Sequence, residues 1–361
     1  MIEEGQLFED APESRILKGF PLEKKLYPKK GVESFEISMD TSQVEGQVEK
    51  GNQRSLALIQ SQILLFKSRK KWGVLYSLAT VAGLFCVPGA LPAMAAEGNV
   101  LLLLQQVVPL PLISLLIATG MYILNDLVDA DLDRVNGKSR PIPSGRVSRR
   151  QAWIFVFTTN GLAVLLSVAT LNLSSILIVV PMLLIGILYS APKIALMNRF
   201  VLKTLSIAIF YGLCALLGIT STYGISLALA APAAPIHAMT VLAIMIFISS
   251  TLNDLGDVEG DRAAGRRTIP IVIGSNSAIR LLLVLSAAMP AVSWGLYGAV
   301  STVTVVLTSI FALIVLTGLL KIKGGLKKID TEAMRRQHKK LFPLHVVLQT
   351  FVAAGAAFAF V

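Results

Sequence analysis

The chain has 361 residues, of which 54% are apolar and only 15% are charged, and its mean hydropathy is +0.69. A soluble domain of this length carries more charge, so the composition excludes that class and indicates an integral membrane protein. The net charge of +11 favours contact with anionic lipid headgroups. No basic face with interleaved aromatic residues accompanies it, so nucleic acid is not an expected partner.

The first 66 residues differ from the rest, because they carry eleven acidic and eight basic side chains. We interpret residues 1–66 as a cytoplasmic and largely disordered tail. Its last part, Ser55–Phe66, is too short to span a bilayer and predicts an interfacial helix that leads into Lys67–Lys71. Residues 67–361 then form the membrane domain.

Apolar runs of the length that a spanning helix needs, about 20 residues, fill this second domain. They lie at 72–95, 98–124, 151–170, 173–191, 204–222, 226–250, 279–297, 299–320 and 341–361. The sequence therefore predicts an all-α protein with nine transmembrane helices around a central cavity.

The basic residues test this count. All 21 Lys and Arg residues after residue 71 fall after the second, fourth, sixth and eighth predicted spans, in segments 134–150, 193–203, 262–280 and 321–340. Under the positive-inside rule, the N-terminus and these four segments face the cytoplasm and the C-terminus lies outside.

Two aspartate-rich motifs follow the second and sixth predicted spans, at the cytoplasmic side. They are Asn125–Arg134 and Asn253–Arg262, and they lie 128 residues apart. Extended to fourteen residues, through Lys138 and Arg266, they are identical at seven positions. Such an internal repeat is typical of a protein built from two related halves that contribute to one site. The alternative is that similar chemistry shaped each motif separately.

The aspartate spacing predicts a metal site. If each helix continues through its motif, three aspartates share one face of it, while Asp131 and Glu259 point elsewhere. The predicted ligands are Asp126, Asp129, Asp133, Asp254, Asp257 and Asp261. Opposed carboxylates suit Mg²⁺, which also prefers phosphate oxygens, so a diphosphate is the expected bridging ligand. An EF-hand loop is excluded, because Arg140 stands where its final glutamate belongs.

Polar and basic residues around the motifs suit that diphosphate. Arginine makes forked contacts with its oxygens, and lysine neutralises it as a point charge. The candidates are Asn125, Arg134, Lys138, Arg140, Asn253, Arg262 and Arg266. The alternative is that these cations only fix the topology.

A third polar element ends the fourth predicted span on the same side, at Tyr189–Lys193. Pro192 would break the helix. The Tyr189 ring could stabilise a cation or its hydroxyl could donate a hydrogen bond, and Lys193 could reach a leaving diphosphate.

The three elements together resemble the UbiA family of intramembrane prenyltransferases. That family has Asn-Asp-x-x-Asp-x-x-x-Asp after helix two, Asp-x-x-x-Asp after helix six and Tyr-x-x-x-Lys after helix four. The matching residues here are Asn125, Asp126, Asp129, Asp133, Asp257, Asp261, Tyr189 and Lys193. The resemblance covers about residues 72–361. One departure is that Ser68–Trp72 stands where the family usually has Arg-Pro-x-x-Asn.

The resemblance implies the reaction. Mg²⁺ would draw charge from an allylic isoprenyl diphosphate, Lys193 and arginines such as Arg140 would help the diphosphate leave, and a lipophilic acceptor would capture the cation inside the membrane. The segments Ser139–Gly145 and Asp257–Gly265 are most similar to archaeal digeranylgeranylglyceryl phosphate synthases, which implies geranylgeranylglyceryl phosphate as acceptor.

Several alternatives stay open. Aromatic and chlorin prenyltransferases carry similar sequence segments, so their acceptors stay possible. A phosphate-bearing acceptor would need additional cations, and Arg146, Arg199 and Lys203 could supply them. An ion transporter is disfavoured, because the predicted spans carry no Asp, Glu, Lys or Arg in their interior. A non-catalytic scaffold is disfavoured because all six facing aspartates are present.

Overall fold

The computed structural model describes residues 24–25, 36–37, 41–86, 104–105, 107–135, 139–230, 232–296, 302–324 and 331–354. The chain divides into two compact units, Met1–Ile59 and Gln60–Val361. In the first unit, β1 (Lys24–Lys25) pairs antiparallel with β2 (Glu36–Ile37). In the described part of the second unit, the regular elements are helical.

Twelve α-helices follow β2 in the described residues. They are α1 (Thr41–Leu84), α2 (Pro109–Val128), α3 (Ala130–Val135), α4 (Arg149–Ala169), α5 (Leu173–Ser190), α6 (Phe200–Ala230), α7 (Ala233–Gly256), α8 (Val258–Ala263), α9 (Ile269–Ile273), α10 (Ser275–Gly295), α11 (Thr302–Gly324) and α12 (Thr331–Ala354). A short 3₁₀ helix, Leu196–Asn198, precedes α6.

Seven of the helices in the described ranges are long and apolar enough to cross a membrane: α2, α4, α5, α6, α7, α10 and α11. The protein is therefore an all-α integral membrane protein, as the sequence predicted. The predicted spans 72–95 and 341–361 overlap α1 and α12, but both also extend beyond the described residues. The count of nine spans stays a prediction.

The helix ends follow local chemistry. Ser148 and Gln151 form a capping box at the start of α4, and the Asn172 side chain accepts a hydrogen bond from the Ser174 backbone N–H at the start of α5. The sixth predicted span began at residue 226, but α6 continues to Ala230. The next helix starts only after Pro232, whose ring cannot continue a helix.

The helix α7 is central to the second unit, since it packs against α6, α10 and α12. Helix α2 packs mainly against α4. The helices α1 and α6 cross with their backbones in contact at Gly83 and Gly218. A Cβ atom at Gly83 would collide with the Ala215 carbonyl, and one at Gly218 with the Thr80 carbonyl. Small residues permit such close crossings inside a membrane.

Candidate active site

Both aspartate motifs contain a helix break at their middle aspartate. Asp129 alone separates α2 from α3, and Asp257 alone separates α7 from α8. Their ψ angles are 0° and 14°, away from the α-helical value. The backbone N–H groups of Asp133 and Asp261 then donate to the carbonyls of Asp129 and Asp257, at 2.8 and 2.9 Å. The shared aspartate face was predicted on the condition that each helix continues through its motif, and neither helix does so without a break. The two breaks fall at corresponding positions.

Arginines form ion pairs with the first and the last predicted aspartate ligand of the first motif, Asp126 and Asp133. Arg69, from α1, makes a two-pronged contact with Asp126, which is 1% exposed, and its Nε donates to Oδ2 at 2.7 Å. Arg140 Nη1 donates to Asp126 at 2.9 Å and to Asp133 at 2.6 Å. Because charged groups this deeply buried need partners, the first motif and these two arginines form one electrostatic unit.

The second motif is held differently. Lys203 Nζ, at the start of α6, donates to the buried Asp254 at 2.5 Å. Arg335, from α12, donates to Asp257 at 2.8 Å, but both of these side chains are about half exposed. Exposed pairs contribute little stability, so Asp257 is freer to change partners than the buried Asp126, Asp129 and Asp133 of the first motif.

Arg266 connects the two motifs. Its Nη2 donates to Asp129 at 2.6 Å, and its Nη1 lies 3.6 Å from Asp261. Burial of the guanidinium disfavours its charge, but the neighbouring Asp129 and Asp261 carboxylates outweigh that and raise the pKa of Arg266. The side chain therefore remains a cation between the two halves.

These side chains surround a cavity of about 430 Å³. Many of the residues predicted from the motifs line it: Asn125, Asp129, Arg140, Tyr189, Asn253, Asp254, Asp257, Asp261 and Arg266. Contributions from both motifs and from the end of α5 thus converge on one polar chamber.

Other predicted residues lie elsewhere. Asp126 and Asp133 are buried behind the cavity wall, where they hold arginines. Arg134 contacts Asp131 and the Pro143 carbonyl, and Arg262 is exposed. Lys193 is exposed on the turn after α5 and does not line the cavity. Lys138 lies outside the described residues.

Three cations that line the cavity lie outside the diphosphate-binding set predicted from the motifs: Arg69, Lys203 and Arg335. Arg69 lay in the segment noted only as a departure from the family pattern. Lys203 had been considered for an acceptor phosphate alone. A cation within the first turn of an apolar helix was the available signal for Lys203, because such residues need a partner.

A ladder of flat side chains forms one wall of the cavity. The Arg69 guanidinium lies 5.7 Å from the centre of the Tyr122 ring. Trp72 stacks on Tyr122 at 5.9 Å and on His338 at 6.1 Å. The negative faces of such rings attract cations.

A smaller apolar pocket, of about 70 Å³, adjoins the polar cavity. Tyr76, Met121, Ile185 and Phe210 help to line it, and Tyr189 belongs to the lining of both spaces. The arrangement places charged groups at one end and a hydrocarbon-compatible space at the other. An amphiphile with an anionic head and an apolar chain has that pattern.

The carboxylates suit a hard divalent cation, although their present contacts are ion pairs. Within the described residues, no three His, Cys, Asp or Glu side chains converge closely enough to hold a metal ion. Asp254 nevertheless has a buried Oδ2 with no hydrogen-bond partner, and oxygen ligands of this kind are those Mg²⁺ prefers. The donor set therefore fits a magnesium ion that takes the place of the basic partners.

Comparison with known proteins decides the family. The model of the UbiA prenyltransferase family matches residues 72–336, which is most of the chain. This protein belongs to the UbiA prenyltransferase family. A digeranylgeranylglyceryl phosphate synthase from Methanoregula boonei is 32% identical over 244 residues, covering 65% of this chain and 81% of that protein. One from Methanopyrus kandleri is 31% identical over 183 residues, covering 50% of this chain but only 62% of that protein.

The fold agrees with this membership. A UbiA homologue from Archaeoglobus fulgidus, solved with GPP and Mg²⁺ bound, superimposes with a TM-score of 0.57 at 20% identity. The match covers 81% of this chain and 99% of that one. This UbiA family member thus has the family's helical fold over most of its length.

Proposed function

We propose that this protein is a Mg²⁺-dependent intramembrane prenyltransferase that moves a geranylgeranyl group from its diphosphate to geranylgeranylglyceryl phosphate. One observation carries the proposal: a chamber lined by carboxylates and cations adjoins an apolar pocket, in a member of the UbiA family. The names of the curated relatives support this acceptor, which belongs to archaeal ether-lipid synthesis.

The proposed arrangement in the membrane follows the charge pattern. We propose nine spans within residues 67–361, with residues 1–66 and the mouth of the cavity on the cytoplasmic side and the C-terminus outside. A cytoplasmic mouth would admit water-soluble Mg²⁺ and diphosphate head groups, while the prenyl chain stays in the apolar pocket.

The six motif aspartates form the proposed metal site, some as direct ligands and others as supports that position the neighbouring cations. Bound Mg²⁺ would supply neutralisation of the charge that develops on the leaving diphosphate. Asp129, Asp254, Asp257 and Asp261 line the cavity and would hold it directly. Asp126 and Asp133 fit the supporting role better, because each already positions Arg140.

The diphosphate would contact the cavity cations. Arg140, Arg266 and Lys203 line the chamber and carry charge that a diphosphate can share. Asn125 and Asn253 would donate from their amide groups. Contact with Arg134, Lys138, Lys193 and Arg262 remains part of the proposal, but the exposed side chains of Arg134, Lys193 and Arg262 would have to turn inward.

Tyr189 lies where the two spaces join, so its ring would border the allylic carbon once the diphosphate occupies the polar chamber. There an aromatic face can stabilise developing positive charge. The surrounding apolar residues would exclude water, which otherwise captures the allylic cation.

The test is an assay of the purified chain in lipid vesicles with Mg²⁺, geranylgeranyl diphosphate and a panel of acceptors. Mass spectrometry would follow prenylated product with geranylgeranylglyceryl phosphate, homogentisate, hydroxybenzoate, dihydroxynaphthoate and chlorophyllide. Product with the glyceryl phosphate alone, lost in Asp257→Ala and kept in the surface control Asp131→Asn, is expected. Product with an aromatic or chlorin acceptor would favour that branch of the family.

Absence of product from folded protein, across several prenyl lengths, would contradict the enzymatic function. Flux of sodium ions or protons that survives Asp257→Ala would then favour transport. Absence of both flux and turnover would favour a membrane scaffold.

A further inference from the structure

His338 is the imidazole that lines the cavity among the described residues, and no family motif in the sequence assigned it a role. It lies on α12, one turn after Arg335, and its side chain is partly buried. The charged groups around the chamber are already paired: Asp129 with Arg266, and Asp254 with Lys203. With the described residues, His338 makes no such ion pair.

A hydrogen bond fixes which ring nitrogen carries the proton. His338 Nδ1 lies 3.1 Å from the backbone carbonyl oxygen of Ser249. Because a carbonyl oxygen only accepts, Nδ1 must be the donor, and in the neutral ring Nε2 then carries a lone pair. Stacking of the ring on Trp72 at 6.1 Å restricts its rotation.

The charge state suits a proton acceptor. Burial lowers the pKa of His338, the Ser249 carbonyl and Asp257 act against that, and Lys71 lowers it again. Arg335 on the same helix adds a further positive charge near the mouth. The ring is therefore neutral at physiological pH, and the Nε2 lone pair can accept a proton.

We propose that His338 is the general base that removes the proton from the acceptor hydroxyl. The inference rests on the proposed function, in which the acceptor is a glycerol ether with a free hydroxyl group. The allylic C–O bond breaks and both of its electrons leave with the diphosphate. A lone pair of the acceptor oxygen forms the new C–O bond, and His338 Nε2 takes the hydroxyl proton while the O–H electrons return to oxygen.

A weak base is sufficient for this step. When the acceptor oxygen bonds to the allylic carbon before losing its proton, the group becomes a protonated ether, which is strongly acidic. A carboxylate of the motifs is a poorer candidate, because each one facing the cavity is paired with a cation and is proposed to serve the metal. The proton leaves His338 toward the half-exposed Arg335 side of the chamber, where water has access.

The test compares acceptor-dependent transfer with binding of the donor alone. His338→Asn retains an amide that can donate to the Ser249 carbonyl but has no basic nitrogen, and the exposed neighbour Lys339→Ala is the matched control. In lipid vesicles with Mg²⁺, geranylgeranyl diphosphate and geranylgeranylglyceryl phosphate, we expect His338→Asn to lower kcat for transfer by about 100-fold or more. Mg²⁺-dependent binding of the donor, measured with a non-reactive thiodiphosphate analogue, should change less than threefold.

Two further readouts separate chemistry from structure. The fall of kcat at acidic pH should disappear in His338→Asn, and added imidazole should restore part of the transfer in His338→Ala. Transfer within twofold of the unmodified chain in His338→Asn would overturn the proposal, as would an equal loss of donor binding and transfer in folded protein. If the unmodified chain itself transfers nothing to the glyceryl phosphate, the proposed function fails first. Failure of the base alone leaves the unmodified chain active.

Discussion

The two aspartate motifs are half identical in sequence, yet they stand in different electrostatic surroundings. In the first, Asp126 is almost completely buried and shares two arginines, one of them from α1. In the second, the counterpart Asp254 is equally buried but is held by a single lysine, and Asp257, the counterpart of Asp129, is 45% exposed and pairs with an exposed arginine from α12. The two copies of a repeated motif can therefore have different roles in the site. The first motif positions cations, whereas the second offers a carboxylate that can leave its partner.

The largest expected effect comes from removing the buried carboxylate of the first motif. In Asp126→Ala, the Arg69 and Arg140 guanidinium groups lose a partner in a poorly solvated place, which costs roughly 3 kcal/mol or more. We expect both prenyl transfer and thermal stability in detergent to fall. Asp126→Asn, which still accepts a hydrogen bond, should recover part of the stability. An unchanged melting temperature in Asp126→Ala would mean that the first motif is not structural.

A change at the exposed aspartate of the second motif should separate activity from stability. Asp257→Ala removes only a half-exposed ion pair with Arg335, so the free energy of unfolding should change by no more than about 0.5 kcal/mol. Transfer should fall by roughly 100-fold, because a carboxylate proposed to hold Mg²⁺ in the cavity is lost. Equal losses of stability in Asp126→Ala and Asp257→Ala would remove the distinction between the motifs.

Ligand binding should show the same difference. Mg²⁺ with a non-reactive prenyl thiodiphosphate should raise the melting temperature of the unmodified chain, by an amount equivalent to about 2.7 kcal/mol at 100 times the dissociation constant. Chelation of the metal should abolish the rise, and Asp257→Ala should reduce it strongly. A rise of full size in Asp257→Ala would place the metal in the first motif.

The smallest effect is expected at the aspartate that points away from the site. Asp131 is exposed, and a hydrogen bond from Arg149, followed by the charges of Arg149 and Arg134, lowers its pKa, so it is ionised at any practical assay pH. Asp131→Asn should leave both the melting temperature and the transfer rate unchanged within error. A loss of activity would mean that this surface takes part in binding.

The apolar periodicity was enough to predict much of the fold. Spans predicted at 151–170 and 173–191 correspond to α4 and α5 within two residues, since a run of apolar side chains between polar ends has few other solutions. The motif order and spacing were enough to indicate the family. The helix breaks at Asp129 and Asp257 were missed, because nothing in an aspartate-rich string distinguishes a continuing helix from one that bends.

Which cation pairs with which buried carboxylate in the site is decided by tertiary packing. Lys193 was favoured over Lys203 by its place in a motif, but the turn after α5 leaves Lys193 exposed and α6 carries Lys203 to Asp254. Arg69 approaches Asp126 from 57 residues earlier in the chain. No local pattern records which distant cation will neutralise a buried carboxylate.

The close contact between α1 and α6 at Gly83 and Gly218 is connected to the cavity through α1, because the same helix carries Arg69. Fourteen residues separate Gly83 from Arg69, which in a helix is about 21 Å. Any side chain added at Gly83 would push against the Ala215 backbone, and a shift of α1 would displace Arg69 and Trp72, which the same helix carries to the cavity. A substitution at this distant crossing would therefore lower catalytic activity as well as stability, since small misplacements of reacting groups slow a reaction sharply.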